Sequence, residues 1–106
     1  MAAYVISEVS EVLDTRLMEE YRSLAQAAIQ QYDGRYLVRG GAFEIVEGDS
    51  PLRLIVIVEF PTMERAREWY HSPEYAKALA VSQKALRRRL IFVNGVLDEI
   101  RAGPRR

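Results

Sequence analysis

Apolar residues along this chain recur first at every second position and then at every third or fourth, and the two periods alternate. Ala3 to Val9 is rich in β-branched and aromatic residues and reads as a strand. Leu17, Tyr21, Leu24, Ala25, Ala28, Ile29 and Tyr32 then fall at spacings of three and four. They form one stripe on a helix that Asp14 caps and that reaches about Tyr32. Asp33-Gly34 ends this helix, with Gly34 suited to the left-handed position. Arg35 to Arg39 is a strand, Gly40-Gly41 a bulge or bend, and Phe43 to Glu47 resumes the extended pattern. Gly48-Asp49-Ser50-Pro51 has the chemistry of a turn. Leu54 to Phe60 is almost continuously apolar, so both of its faces are expected to be covered. Thr62 opens a helix over Met63 to about His71. Ser72-Pro73 opens another that runs to about Leu86. Leu90 to Val96 closes the pattern as a strand.

The order is strand, helix, strand, strand, helix, strand. It predicts an α+β fold of the ferredoxin-like βαββαβ type, an antiparallel sheet with its helices on one face. One helical layer cannot cover both faces of a sheet whose central strand is apolar on both sides. The economical cover is a second copy of the chain, giving a homodimer. The 106 residues fit a single domain, expected over 1–98, with a flexible C-terminal tail over 99–106.

Composition narrows the chemistry. There is no cysteine, which excludes disulfides, thiolate metal sites and cysteine nucleophiles. Lys+Arg and Asp+Glu both total 15, a balance unlike the basic surplus of nucleic-acid binders. No apolar run approaches membrane-spanning length, and the N-terminus lacks the basic region of a signal peptide. A cytoplasmic protein with no nucleic-acid or membrane partner is the expectation.

The stretches AAYVISEV, GRYLVRGGAFEIVEGD, LIVIVEFP and AREWYHSPEYAKAL resemble the domain-of-unknown-function 1330 family over residues 2 to about 96. That resemblance implies a dimeric α/β barrel of ferredoxin-like subunits. The broader relatives of this fold include cofactor-independent monooxygenases, isomerases and haem enzymes, so the fold alone selects no reaction.

The residues that could carry chemistry cluster around Glu59 to Tyr75. A tight hairpin centred near Asp49-Ser50 would set residue 39 opposite residue 60, and Arg39 diagonal or adjacent to Glu59. Arg39 could then hold an anionic group while Glu59 orients it or acts as a base; the structural alternative is an ion pair at the sheet edge. His71 is the only histidine. It is a candidate general base or, in a haem protein, a proximal ligand; otherwise it is a solvated helix end. Alone it builds no metal site. Trp69, Tyr70 and Tyr75 offer an aromatic wall for a small apolar or aromatic acid, or simply core packing, with one of the adjacent Trp69-Tyr70 rings inside and the other at a rim. Ser72 caps a helix whose first N–H groups could meet an anion. Arg87-Arg88-Arg89 reads as a solvated helix C-terminus. The functional expectation is a small-molecule site without a cofactor, in the cleft between sheet and helices, with a cofactor-independent enzyme as one form of it. A non-catalytic binding or stress-related module is the alternative, and a haem-binding protein the third.

Overall fold

In the computed structural model, which describes residues 1–96, two helical segments and a long helix cover one face of a four-stranded antiparallel sheet. The elements are β1 (Ala3–Val12), α1 (Thr15–Gln31), β2 (Arg35–Arg39), β3 (Leu54–Phe60), α2 (Met63–Tyr70), α3 (Pro73–Ala85) and β4 (Leu86–Asn94). The strands lie in the order β2-β3-β1-β4, which is the βαββαβ topology expected from the pattern. No helix among the described residues is long and apolar enough to cross a membrane. The expected tail over 99–106 lies outside the described residues.

Strand register sorts the side chains between the two sheet faces. Ala3, Val5, Ser7 and Val9 of β1 are all buried and point toward the helices. Val5 lies between Val58 of β3 and Phe92 of β4, and Tyr36 of β2 extends the row. The next row on that face is Arg39, Val56, Ser7 and Leu90. The opposite face carries the row Val38, Ile57, Ile6 and Ile91, which crosses all four strands. No helix among the described residues covers these side chains.

The helix starts are those the sequence indicates. The Asp14 carboxylate accepts from the N–H groups of Arg16 and Leu17, Thr62 accepts from Arg65, and Ser72 accepts from Tyr75 with Pro73 in the first turn. The core gathers Val5, Val9, Tyr21, Ile29, Val58, Phe60, Trp69 and Tyr75 between the sheet and these helices.

Four local expectations are corrected. The left-handed residue after α1 is Asp33, at φ 68°, not Gly34. Gly34 is required for a different reason: a Cβ there would stand 2.7 Å from Ile29 Cγ2 and 2.8 Å from the Phe60 ring. Gly34→Ala is therefore expected to overpack the core at a cost of about 1–3 kcal/mol, read as a lower urea midpoint at unchanged slope. An unchanged midpoint would show that Ile29 and Phe60 yield freely.

Phe43 to Glu47 forms no strand. The chain leaves the sheet at Gly40, whose φ is 73° and whose N–H reaches Ile55 O, and Phe43, Ile45 and Val46 are exposed with no strand beside them. Alternating residues without a neighbouring strand have no ladder to complete. β4 begins at Leu86, so Arg87 to Arg89 belong to a strand and not to a helix end. Finally, Arg39 faces Val56 and Glu59 faces Arg35, because the fourteen residues from 40 to 53 make a long excursion where a tight turn was expected.

Candidate functional site

Between α1 and the sheet lies a cavity of about 60 Å³. A single water needs about 10–15 Å³ on this scale, so the space suits a molecule of a few heavy atoms. Its walls are mostly aliphatic, with Val5, Val9, Val56 and Val58 from the sheet and Met18, Ala25 and Ile29 from α1. Three arginines reach it: Arg22 from α1, Arg39 from the end of β2, and Arg88 from β4. No carboxylate and no imidazole is among the residues that line it.

Arg88 is the centre of the polar arrangement. Strand alternation sends Arg87 and Arg89 to the opposite face, where they meet Glu11 and Glu8. Arg88, opposite Val9, turns inward. Its Nη1 donates to Tyr21 Oη at 2.8 Å and to Ser7 Oγ at 3.4 Å, and its Nη2 donates to Tyr75 Oη at 2.8 Å. The guanidinium carbon also lies 5.0 Å from the centre of the Tyr21 ring. A guanidinium has five N–H groups, so two remain without a partner among the described residues. Among the described residues, no carboxylate neutralises this half-buried cation.

The two tyrosines are coupled to each other as well. Their hydroxyl oxygens are 2.8 Å apart, and both already accept from Arg88. Two hydroxyls carry two hydrogens, and one of these fills the bond between them. The other is available to a further acceptor. Burial, and then the neighbouring Tyr21, pushes the Tyr75 hydroxyl far above the usual phenol range, so it stays protonated and acts as a donor. Burial opposes the charge on Arg88, but the two hydroxyls outweigh it and hold the guanidinium above its ordinary value. Burial likewise raises Tyr36, against the pull of Arg39.

Trp69 adds one more donor. It is 2% exposed and lines the cavity, and its indole Nε1–H is buried without a hydrogen-bond partner among the described residues. An indole N–H can only donate, so an unmet one on a residue that lines the cavity is a candidate partner for a ligand's acceptor atom.

The residues singled out from sequence divide sharply. Arg39 and Trp69 line the cavity, and Tyr75 reaches its polar end through Arg88. Arg39 and Glu59 do not share a rim. The β2 bulge between Tyr36 and Val38 turns Arg39 to the helix face, whereas Glu59 pairs with Arg35 at 2.6 Å on the other. His71 is exposed, set edge-on to Tyr70 and outside the lining. Tyr70 is half-buried and packs on Trp69 and Phe92. The Ser72 hydroxyl is engaged in its own turn, donating to Trp69 O at 2.7 Å and accepting from Tyr75 N–H.

Arg88, Tyr21 and Ser7 were not anticipated as site residues. The signal for Arg88 was a strand period through Leu86, Arg88, Leu90 and Phe92, with one charged residue in an inward position. A cavity of this size with no histidine in its lining does not fit a haem.

A family model described as Domain of unknown function (DUF1330) matches residues 2–96. The chain belongs to the DUF1330 family. Solved structures similar to this DUF1330 chain show the same ferredoxin-like fold. The RPA0582 protein of unknown function from Rhodopseudomonas palustris is 19% identical with a TM-score of 0.74, covering 91% of this chain and 83% of its own. A dimeric ferredoxin-like protein of unknown function from Jannaschia sp. CCS1 is 7% identical with a TM-score of 0.68, covering 90% and 100%. SnoaB, a cofactor-independent oxygenase from Streptomyces nogalater, is 11% identical with a TM-score of 0.59, covering 91% and 93%. No match is found among curated proteins.

Proposed function

We propose that this DUF1330 protein binds a small, partly apolar acid in the cleft between α1 and the sheet. The observation that carries this reading is the uncompensated donor set. Among the described residues, two N–H groups of Arg88, the spare tyrosine hydrogen and the Trp69 N–H all lack an acceptor, and no carboxylate lines the cavity. An ionised carboxylate supplies what is missing: planar acceptors for a guanidinium and charge for a half-buried cation. The aliphatic walls take the rest of the ligand. The volume favours a short aliphatic acid over an aromatic one.

That a cofactor-independent oxygenase has the same fold supports a small-molecule site in such a chain. Binding without turnover is the reading favoured here. Glu59 and His71, the two groups considered for moving a proton, lie outside the cavity, and Tyr75 holds its own proton. We also infer that the protein pairs with itself through the uncovered sheet face, a reading supported by the Jannaschia structure's description as dimeric.

The test uses a panel of short acids, with propionate and butyrate as the first probes and benzoate for comparison. A ligand at a hundred times its Kd adds about 2.7 kcal/mol. At about 4–8 °C per kcal/mol for a domain of this size, the melting temperature should rise by about 10 °C or more. Trp69 is the only tryptophan, so its emission should change in the same titration. Arg88→Gln should lose both responses while remaining folded by circular dichroism. Equal responses in wild type and Arg88→Gln would overturn the assignment, and so would silence of the wild type toward every acid.

A further inference from the structure

We propose that the ligand of this cleft carries a second anionic group, received at the mouth by Arg22 and Arg39, so that the site selects short diacids over monoacids. The inference rests on the acid-binding reading above and names its ligand class. It starts from a contrast among the arginines. Arg35, Arg65, Arg87 and Arg89 each meet a carboxylate within 3.4 Å. The three that line the cavity meet none among the described residues.

Arg22 lines the cavity with its side chain exposed, and it has no hydrogen-bond or ion-pair partner among the described residues. Arg39 donates to the Gln26 side-chain oxygen at 2.6 Å and lies 4.3 Å over the Tyr36 ring, both neutral partners. Arg22 and Gln26 are one helical turn apart on α1, so they are neighbours on its surface. The bond from Arg39 to Gln26 therefore brings two uncompensated cations to the same turn of the helix. Like charges set together without a counter-ion are costly, and an anion between them removes that cost.

Arg88 approaches from the other side. β2 and β4 are the two edges of the sheet, so Arg39 and Arg88 enter from opposite edges, about three strand spacings or 14 Å apart across the sheet and two residues apart along it. Both side chains are long and converge on the same cavity, with Val56, Val58, Met18 and Ala25 between them. A ligand with one carboxylate at Arg88, a few methylenes along these aliphatic walls and a second carboxylate at Arg22 and Arg39 matches every part of that path. A monoacid matches only the inner half. The small cavity limits the bridge to a few carbons. One inner guanidinium with a planar donor set suits a carboxylate better than a dianionic phosphate.

The two ends should differ in salt response. Arg22 is exposed, so the outer contact is screened, whereas the half-buried Arg88 contact is protected. The experiment titrates wild-type protein with succinate, glutarate and adipate and with butyrate and valerate, following Trp69 emission at low salt and at high salt. At least one diacid should bind about tenfold tighter than the monoacid of equal chain length, and the advantage should shrink in high salt. Arg22→Gln changes an exposed side chain, so it should stay folded; with it or with Arg39→Gln the diacid should lose most of its advantage, weakening several-fold more than the monoacid does. Arg88→Gln should weaken both classes. Diacids no tighter than monoacids, or a preference that survives in the Arg22→Gln, Arg39→Gln double variant, would overturn this inference and leave the acid-binding reading standing. Failure of that reading has a different signature, no response to monoacids and no effect of Arg88→Gln.

Discussion

Replacing Trp69 with alanine is expected to destabilise the protein by about 3–5 kcal/mol, the range for deleting a large buried aromatic side chain. The indole stands where α2, α3 and the sheet meet. Its ring centre is 4.3 Å from that of Tyr75, 5.3 Å from Phe60 and 6.4 Å from Phe92, so one truncation removes contacts to three elements at once. Whole domains are stable by only about 5–15 kcal/mol, so the loss should be plain in urea unfolding followed by far-UV circular dichroism. Trp69→Phe separates packing from polarity. It keeps most of the ring contacts and deletes an N–H that has no partner among the described residues, and a buried unmet donor costs about 1–3 kcal/mol. Trp69→Phe should therefore be much milder than Trp69→Ala in stability, yet should weaken acid binding. If Trp69→Phe destabilises as much as Trp69→Ala, the indole N–H is met in solution and is not waiting for a ligand.

Most of the fold was legible because it follows from periods. The stripe from Leu17 to Tyr32 and the caps Asp14, Thr62 and Ser72 are local signals, and they placed the helix starts correctly. The adjacent rings at 69 and 70 divided as helical geometry requires, Trp69 into the core and Tyr70 half-buried. The hairpin register was not legible. It depends on how far the chain travels between strands, and neither a glycine pair nor a turn-like tetrapeptide specifies that distance. The tight turn expected at Asp49-Ser50 would have made the strands longer by the stretch Phe43 to Glu47, which instead stays unpaired.

The candidate site was legible only in part, for a related reason. Side-chain direction in a strand has a period of two, so a single bulge reverses it. The bulge in β2 sent Arg39 into the cavity and left Arg35, four positions earlier, with Glu59 on the other face. A boundary error of four residues in β4 hid Arg88 among three arginines that seemed equivalent. Only the strand assignment shows that the middle one faces inward. The tyrosine pair is a contact across 54 positions of sequence, between α1 and α3, and no local pattern announces it.

Changing Ile6 to aspartate is expected to convert a dimer into a monomer. Ile6 is at the middle of the uncovered row, flanked by Ile57 and Ile91 with Val38 beyond. All four are half-buried in the isolated chain, so they present apolar surface where no helix lies. An obligate interface buries about 2,000 Å² or more, which the face of a four-stranded sheet can supply. Zero formal net charge gives two copies little long-range repulsion. At a two-fold interface each substitution occurs twice, and an unpaired buried charge costs about 3 kcal/mol or more. Two such charges should weaken association by about four orders of magnitude. Light scattering at micromolar concentration should give wild-type protein twice the 12.2 kDa chain mass and Ile6→Asp the single mass. Ile6→Thr keeps the β-branched shape that suits a strand and should weaken pairing less. Trp69 emission, set on the far side of the sheet, reports whether each variant is still folded. A wild-type protein of single-chain mass would remove the two-fold partner, and a folded Ile6→Asp protein that stayed dimeric would place the interface on some other surface.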